Sequence, residues 1–399
     1  VTQPVAIPPP GKSRLLSLDV FRGGTVAAMI LVNNPGDWDH VFWPLDHSEW
    51  NGCTPTDLVM PFFLFIVGVS IVFAMDTAKR DRSRHSALLI KTVRRTIVLL
   101  LLGWLLAFFP SSPSTLQLVL HHPLQRMAQL RIMGVLQRIA LVYFACALLQ
   151  IKTGPRAWAL ICGVILLGYW AVMTLVPVPD CHVMGGCHAA SLQAADNLGA
   201  WIDVAVLGKP HLYKGGDFDP EGLLSTLSAI STGLLGMLAG AYLKNGRADA
   251  ASKVAWLFSA GVIAAAIGWV WGLFFPLNKQ LWTSSFSLTT SGLAAVFLAT
   301  AYWLIDVNQL RRGTRIFSAF GVNAITAFVA SGLLARVLML RQLSFNGRPF
   351  GVKDYAYHRW IAPAFANADA ASFTGALIYL LAWAAVMLFM QKRRWIVKV

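Results

Sequence analysis

His47 is the residue of this chain best placed to move a proton. It sits in a loop, residues 33–56, with the carboxylates Asp46 and Glu49 beside it and a Trp50-Asn51-Gly52 turn after it. A neighbouring carboxylate can orient an imidazole and bring it toward neutral titration, which suits a general base. The loop also carries Asp37, Asp39 and His40, and no Lys or Arg. Just inside the two flanking apolar runs lie Asp19, Arg22, Asn33 and Asp57, and a later run holds Gln137 next to Arg138. Such side chains are costly at membrane depth and by default mark functional sites. The plainer reading of Arg138 is a structural ion pair with an acid such as Asp19. The functional one is a contact to a cofactor phosphate or amide.

The elements that must position these groups are membrane helices. Of the 399 residues 56% are hydrophobic and only 13% charged, which excludes an ordinary soluble globule. Ten stretches approach the ~20 apolar residues a span needs: 15–33, 57–76, 88–109, 132–151, 155–177, 222–243, 254–275, 284–306, 316–340 and 371–391. The fold expected is all-α and polytopic, one membrane domain over 14–399 behind a disordered Pro-rich lead-in at 1–13. Asp19 and Arg22 inside the first run argue against a cleaved signal peptide.

The net charge of +15 does not point to nucleic acid. Taken alternately, the segments outside the spans place most Lys and Arg on one side, notably Lys79–Arg95, Arg311–Arg315 and Lys392–Lys398. The positive-inside rule therefore puts both termini in the cytoplasm and the His47 loop outside. The basic 76–96 segment reads first as orientation and lipid-headgroup binding, and second as attraction of a phosphorylated nucleotide.

Three further segments carry polar signals. The long outer segment 178–221 holds Trp201, Tyr213 and several acids, a set that suits sugar stacking and equally suits interfacial anchoring. Cys181 and Cys187 share this segment and are candidates for a disulfide. With His182 and His188 they have metal-ligand character, but an oxidising loop favours the disulfide, so no metal is expected. Asn323, early in the ninth stretch, reads as a helix–helix hydrogen bond or a ligand contact. Ser225, Ser228, Ser231, Gly233, Gly236 and Gly240 give the sixth stretch a small-residue face for close packing, compatible also with a homodimer. No phosphate-binding loop, dinucleotide fingerprint, HExxH or GxSxG is present.

Several ordered blocks resemble the heparan-α-glucosaminide N-acetyltransferase family of membrane acyltransferases. They are LLSLDVFRG, HSEWNG with TDLVMPFFLFIVG, RIMGVLQRIALVYF, NLGAWIDVAVLGKPHLY, DPEGLLSTLSAI, PLNKQLWTSSF and FGVNAI. The resemblance runs from about Arg14 to the C-terminus. No segment like the luminal extension and first span of animal lysosomal members precedes it, so the expectation is a bacterial inner-membrane protein. The resemblance implies that acetyl-CoA enters from the cytosolic side and that its acetyl group passes to a glucosamine amine on the other side. It implies that His47, in the H-x-x-W-N-G block, is the active-site histidine. It also implies that Asn33, or Asn34 beside it, is the family Asn that ends the first span, and that Gln137-Arg138 match the family pair. The tetrahedral oxyanion of acetyl transfer needs a donor, for which Asn33 is the candidate.

The expected assignments follow. His47, Asn33, Asp46 and Glu49 would do the chemistry. Arg22, Gln137, Arg138 and Asn323 would hold acetyl-CoA. Asp19, Trp50, Asn51, Asp57, Trp201 and Tyr213 would hold an amino-sugar acceptor. Membrane lipid surrounds the protein, and nucleic acid is not a partner. The rival reading is an amino-sugar or sugar-acid permease using Asp19, Arg22 and Arg138 without CoA. A non-catalytic assembly role is a weaker third.

Overall fold

The computed structural model describes residues 15–79, 81–180, 186–345 and 347–397. The expected lead-in and Cys181 fall outside them. The helices are α1 (Leu16–Val32), α2 (Val59–Lys79), α3 (His85–Phe108), α4 (Pro113–His121), α5 (Pro123–Ala128), α6 (Val135–Lys152) and α7 (Pro155–Leu175). There follow α8 (Leu198–Leu207), α9 (Leu223–Leu243), α10 (Ala250–Trp271), α11 (Ser284–Ala301), α12 (Thr314–Val322), α13 (Ala324–Leu340), α14 (Val352–Ala356) and α15 (Ala368–Lys392). Two short antiparallel hairpins, Val178–Asp180 with Gly186–His188 and Gln342–Phe345 with Arg348–Gly351, decorate the loops.

Among the described residues, seven helices are long and apolar enough to cross a bilayer, or nine if each of two bent pairs is one span. The chain is thus an all-helical polytopic membrane protein. Ten spans were expected, and three features lower the number. Helix α1 has 17 residues, about 26 Å at 1.5 Å per residue, short of a ~30 Å hydrocarbon core. The stretch expected at 316–340 is broken at Asn323, where α12 and α13 meet at 83°. Helix α3 likewise turns through 109° into α4.

Loop contacts sort the helix ends onto two faces. On one, the amides of Leu16 and Ser17 donate to the Asp306 carboxylate at 3.2 and 3.0 Å, and Lys244 pairs with Asp76. This is the basic face. On the other, Gly36 N donates to Ser372 O at 3.0 Å and Lys353 Nζ to Pro35 O at 2.8 Å. Gly52 N donates to Leu277 O at 2.8 Å there as well. This is the His47 face.

Helix α9 packs against α2, α6, α7 and α11, and its small residues let it do so. A Cβ at Gly236 would run into the carbonyl of Phe65, and one at Gly68 into the carbonyl of Gly233. The α1–α12 crossing is built the same way, with Gly23 against the Phe317 carbonyl and Gly321 against that of Asp19. Lipid is as apolar as leucine, so such close contact replaces the hydrophobic effect in holding membrane helices together.

Candidate functional site

The sequence Thr54-Pro55-Thr56-Asp57 forms a capping box ahead of α2, in which the Asp57 carboxylate accepts from Thr54 N at 3.0 Å. The same oxygen accepts from Ser48 N at 3.1 Å, Ser48 Oγ at 2.9 Å and Thr54 Oγ1 at 3.1 Å. Asp57 is completely buried, and its other oxygen meets His47 Nδ1 at 2.7 Å. An ionised carboxylate can only accept, so Nδ1 carries the hydrogen and Nε2 is left as the accepting nitrogen. The orienting acid is therefore Asp57, expected to serve the acceptor, and not Asp46 or Glu49. Asp46 is exposed and accepts from the His47 amide at 2.8 Å. Glu49 is exposed and contributes its backbone carbonyl to Gln280 at 3.4 Å.

A second loop, residues 276–283, docks on this one and delivers Lys279. Its Nζ lies 3.0 Å from His47 Nδ1, 3.2 Å from Nε2 and 3.5 Å from Asp57 Oδ1. Burial pulls the Lys279 ammonium below the usual lysine range, with Asp57 and Glu221 opposing the shift. The loop is held firmly. Asn278 Oδ1 accepts from Leu281 N at 2.8 Å, and Asn278 Nδ2 reaches Asn51 Oδ1 at 3.3 Å. Trp282 has φ +52°, a conformation bulky residues adopt only when surroundings impose it. Its indole donates to Thr232 at 3.1 Å, its carbonyl accepts from Ser228 at 2.7 Å, and the Arg138 guanidinium lies 5.0 Å from its ring centre. Lys279 carried no role in the sequence reading. The PLNKQLWTSSF block contains it, but its spacing gave no hint of a partner 232 residues away.

Beside this centre is a cavity of about 800 Å³ on the His47 face, lined by Asn33, Asn34, Arg126, Arg131, Gln137, Tyr213 and Arg336 among others. Asn34 spends its amide on Ile30 O at 2.8 Å, whereas Asn33 is exposed to the cavity, which favours Asn33 of the two. The Gln137 carboxamide lies where a Cβ on Gly103 would sit, so that glycine makes room for it. Arg131 grips Asp219 at 2.9 Å and also binds Glu221, with Tyr213 stacked 4.8 Å away. His47 does not line this cavity. The segment between Tyr213 and Glu221 touches the His47 loop, with Phe218 packed 5.3 Å from Trp50.

On the basic face a second cavity of about 360 Å³ is lined by Arg22, Lys91, Arg95, Tyr143 and Asn323. A narrow apolar neck lies between the two and is nearly closed, with about 10 Å³ of open volume. It shares Met29, Leu136 and Phe328 with the first cavity, and Phe63, Ile139, Ala324 and Ile325 with the second. Arg22 reaches Asp19 at 3.3 Å and Ser70 at 2.5 Å. Arg95 lies 4.7 Å from the Tyr143 ring, and its buried Nε has no hydrogen-bond partner among the described residues. The Asn323 amide is occupied by the tail, donating to Trp395 O at 3.0 Å and accepting from Val397 N at 3.1 Å.

Residues 14–208 match the family model described as heparan-alpha-glucosaminide N-acetyltransferase, catalytic. Over this region the chain carries the catalytic sequence pattern of that family. Heparan-alpha-glucosaminide N-acetyltransferase of Homo sapiens is 31% identical over 369 residues, 81% of this chain and 53% of the human protein. The Mus musculus protein of the same name is 29% identical over 365 residues, 81% of this chain and 54% of its own length. The chain thus spans about half the length of these curated relatives. The family match takes in the His47 loop and the Gln137-Arg138 pair, while Lys279 lies beyond it.

Several of the expected site residues have other contacts. Arg138 is buried, donating to Pro220 O at 2.9 Å and Thr226 at 3.2 Å and also to Ser225. It pins the start of α9 and braces Trp282, and it lines neither cavity. Asp19 pairs with Arg22 and not with Arg138, and it is 14 residues before Asn33, about 21 Å along the helix. Trp50 donates to Leu192 O at 3.0 Å, and it packs with Trp201 in a cluster around Phe275 and Leu281. Of the expected acceptor aromatics, only Tyr213 opens to the cavity. Among the described residues no group of three or more His, Cys, Asp or Glu has the arrangement of a metal site.

One acid near the site carries a pH signature. Asp203 is buried, accepts from Leu223 N at 2.8 Å, and is raised by burial to about 6. Between about pH 4 and 6 the folded state then holds more protons than the unfolded chain, so stability falls as pH rises through that window. Asp203→Asn keeps an accepting oxygen and removes the charge. It should raise Tm at pH 7.5, by up to roughly 2–3 kcal/mol of stability, and leave it unchanged near pH 4. A Tm at pH 7.5 no higher than wild type would contradict this.

Proposed function

We propose that this protein is a transmembrane acetyltransferase that moves the acetyl group of cytosolic acetyl-CoA to the amine of a glucosamine-type sugar on the periplasmic side of a bacterial inner membrane. The observation carrying the reading is the pairing of a carboxylate-oriented histidine on one face with a cationic cavity on the other, with a nearly closed apolar neck between the two cavities. The basic-face cavity fits the nucleotide and phosphates: Arg22, Lys91 and Arg95 line it, and the orphaned Arg95 Nε calls for an anionic acceptor. The apolar lining of the neck suits an uncharged thiol arm once the side chains part to admit it, and bound acetyl-CoA would supply the activated thioester.

On the His47 face, Nε2 of His47 takes the proton from the attacking amine, and Asn33 donates to the oxyanion; one such donor is typically worth ~10²–10³ in rate. His47 could instead accept the acetyl group and pass it on. The Asp57 contact favours direct transfer, because it fixes one ring orientation for one proton acceptance. Since His47 stands beside the cavity, reaction requires the His47 loop to close over its mouth.

The test is ligand-induced stabilisation of detergent-solubilised protein. Acetyl-CoA alone should raise Tm, and Arg95→Gln should weaken its binding about tenfold, the order expected for one charge-assisted hydrogen bond. A Tm that responds to amino sugar but not to acetyl-CoA would support a permease.

A further inference from the structure

We propose that Lys279 is the acid that protonates the departing thiolate, working with His47 as an acid–base pair; this rests on the acetyl-transfer reading. The geometry carries it. Lys279 Nζ is within 3.2 Å of both imidazole nitrogens of His47. Its side chain is 20% exposed, so it is not sealed from the surface.

A lysine whose only task was to neutralise Asp57 would sit on the carboxylate. Here it lies closer to the imidazole than to the carboxylate, which is already saturated by His47, Ser48 and Thr54. The left-handed Trp282 and the Asn278 bonds show how much structure is devoted to holding this loop. Burial, which weakens the hold of Lys279 on its proton, suits proton donation.

The step balances. The acceptor nitrogen forms a bond to the acetyl carbon as the carbon–sulfur bond breaks with its electron pair on sulfur. The nitrogen proton passes to His47 Nε2, and a Lys279 proton passes to sulfur. The imidazolium then returns a proton to the Lys279 amine across the 3.2 Å contact. The products are amide and free thiol, with both residues restored.

The experiment compares acetyl-CoA with 4-nitrophenyl acetate, whose leaving group departs without a proton. With acetyl-CoA, Lys279→Met should lose about 10²-fold in kcat, the lower end for general acid catalysis. Its loss with the aryl ester should be at least tenfold smaller. Lys279→Arg keeps the charge and should behave like Lys279→Met. His47→Gln should fail with both donors. In wild-type protein free of any donor, trinitrobenzenesulfonate labelling followed by mass spectrometry should show Lys279 becoming reactive at lower pH than the exposed lysines.

Equal losses on both donors, or a labelling profile like that of an exposed lysine, would overturn the proposal and leave Lys279 a structural cation. Wild-type protein that transfers acetyl from neither donor would instead overturn the acetyltransferase reading, and this inference with it.

Discussion

Asp57→Asn is expected to lower acetyl transfer by about 10³–10⁴-fold in a protein that still folds, the scale seen when a catalytic histidine is held in the wrong tautomer. The carboxylate accepts on both oxygens, from the loop donors on one side and from His47 on the other. An asparagine has a single accepting oxygen. The four loop donors hold that oxygen, which turns the amide NH₂ toward His47. Nδ1 must then accept, the ring hydrogen moves to Nε2, and the base is lost. Circular dichroism and size-exclusion profiles should match wild type while kcat collapses. An Asn variant within tenfold of wild type would show that Asp57 only caps α2.

The second large effect concerns folding. Gly236→Leu should abolish the monodisperse folded species in detergent. The clash is with the backbone carbonyl of Phe65, which no rotamer change can relieve, and α2 bears Asp57 at its start. Overpacking of flexible side chains costs typically ~1–3 kcal/mol, and a backbone contact between two core helices leaves less room to relax. Gly163→Leu in α7 is the control, because nothing lies within 4 Å of a Cβ there. If Gly236→Leu purifies as Gly163→Leu does, close α2–α9 packing is not what holds the bundle.

Hydrophobic pattern alone located the helices, because apolar length is a local property. It could not see that Asn323 breaks a span, since the break depends on the tail backbone bonding its amide. His47 was legible from its loop, and the Thr54–Asp57 spacing was legible as a capping box, yet the partnership between them was not. Proximity in sequence pointed to Asp46 and Glu49, while the loop folds back so that the acid ten residues on is the one in contact. Lys279, Arg131 with Glu221, and the bracing of Trp282 by Arg138 all join distant segments, and composition holds no trace of such pairings. Lys91 and Arg95 looked like orientation signals because positive charge near a membrane end serves that purpose by default. Their shared cavity is a property of how α1, α2, α3 and α12 meet.

Acetyl transfer across sealed proteoliposomes of known orientation tests the central claim most directly. Acetyl-CoA is supplied on the basic face, glucosamine on the His47 face, and N-acetylglucosamine is measured by mass spectrometry in each compartment. The expected result is product on the His47 face only, with none when acetyl-CoA is confined to that face. Product formed only when both substrates share one compartment, or labelled glucosamine crossing the bilayer unmodified, would contradict it.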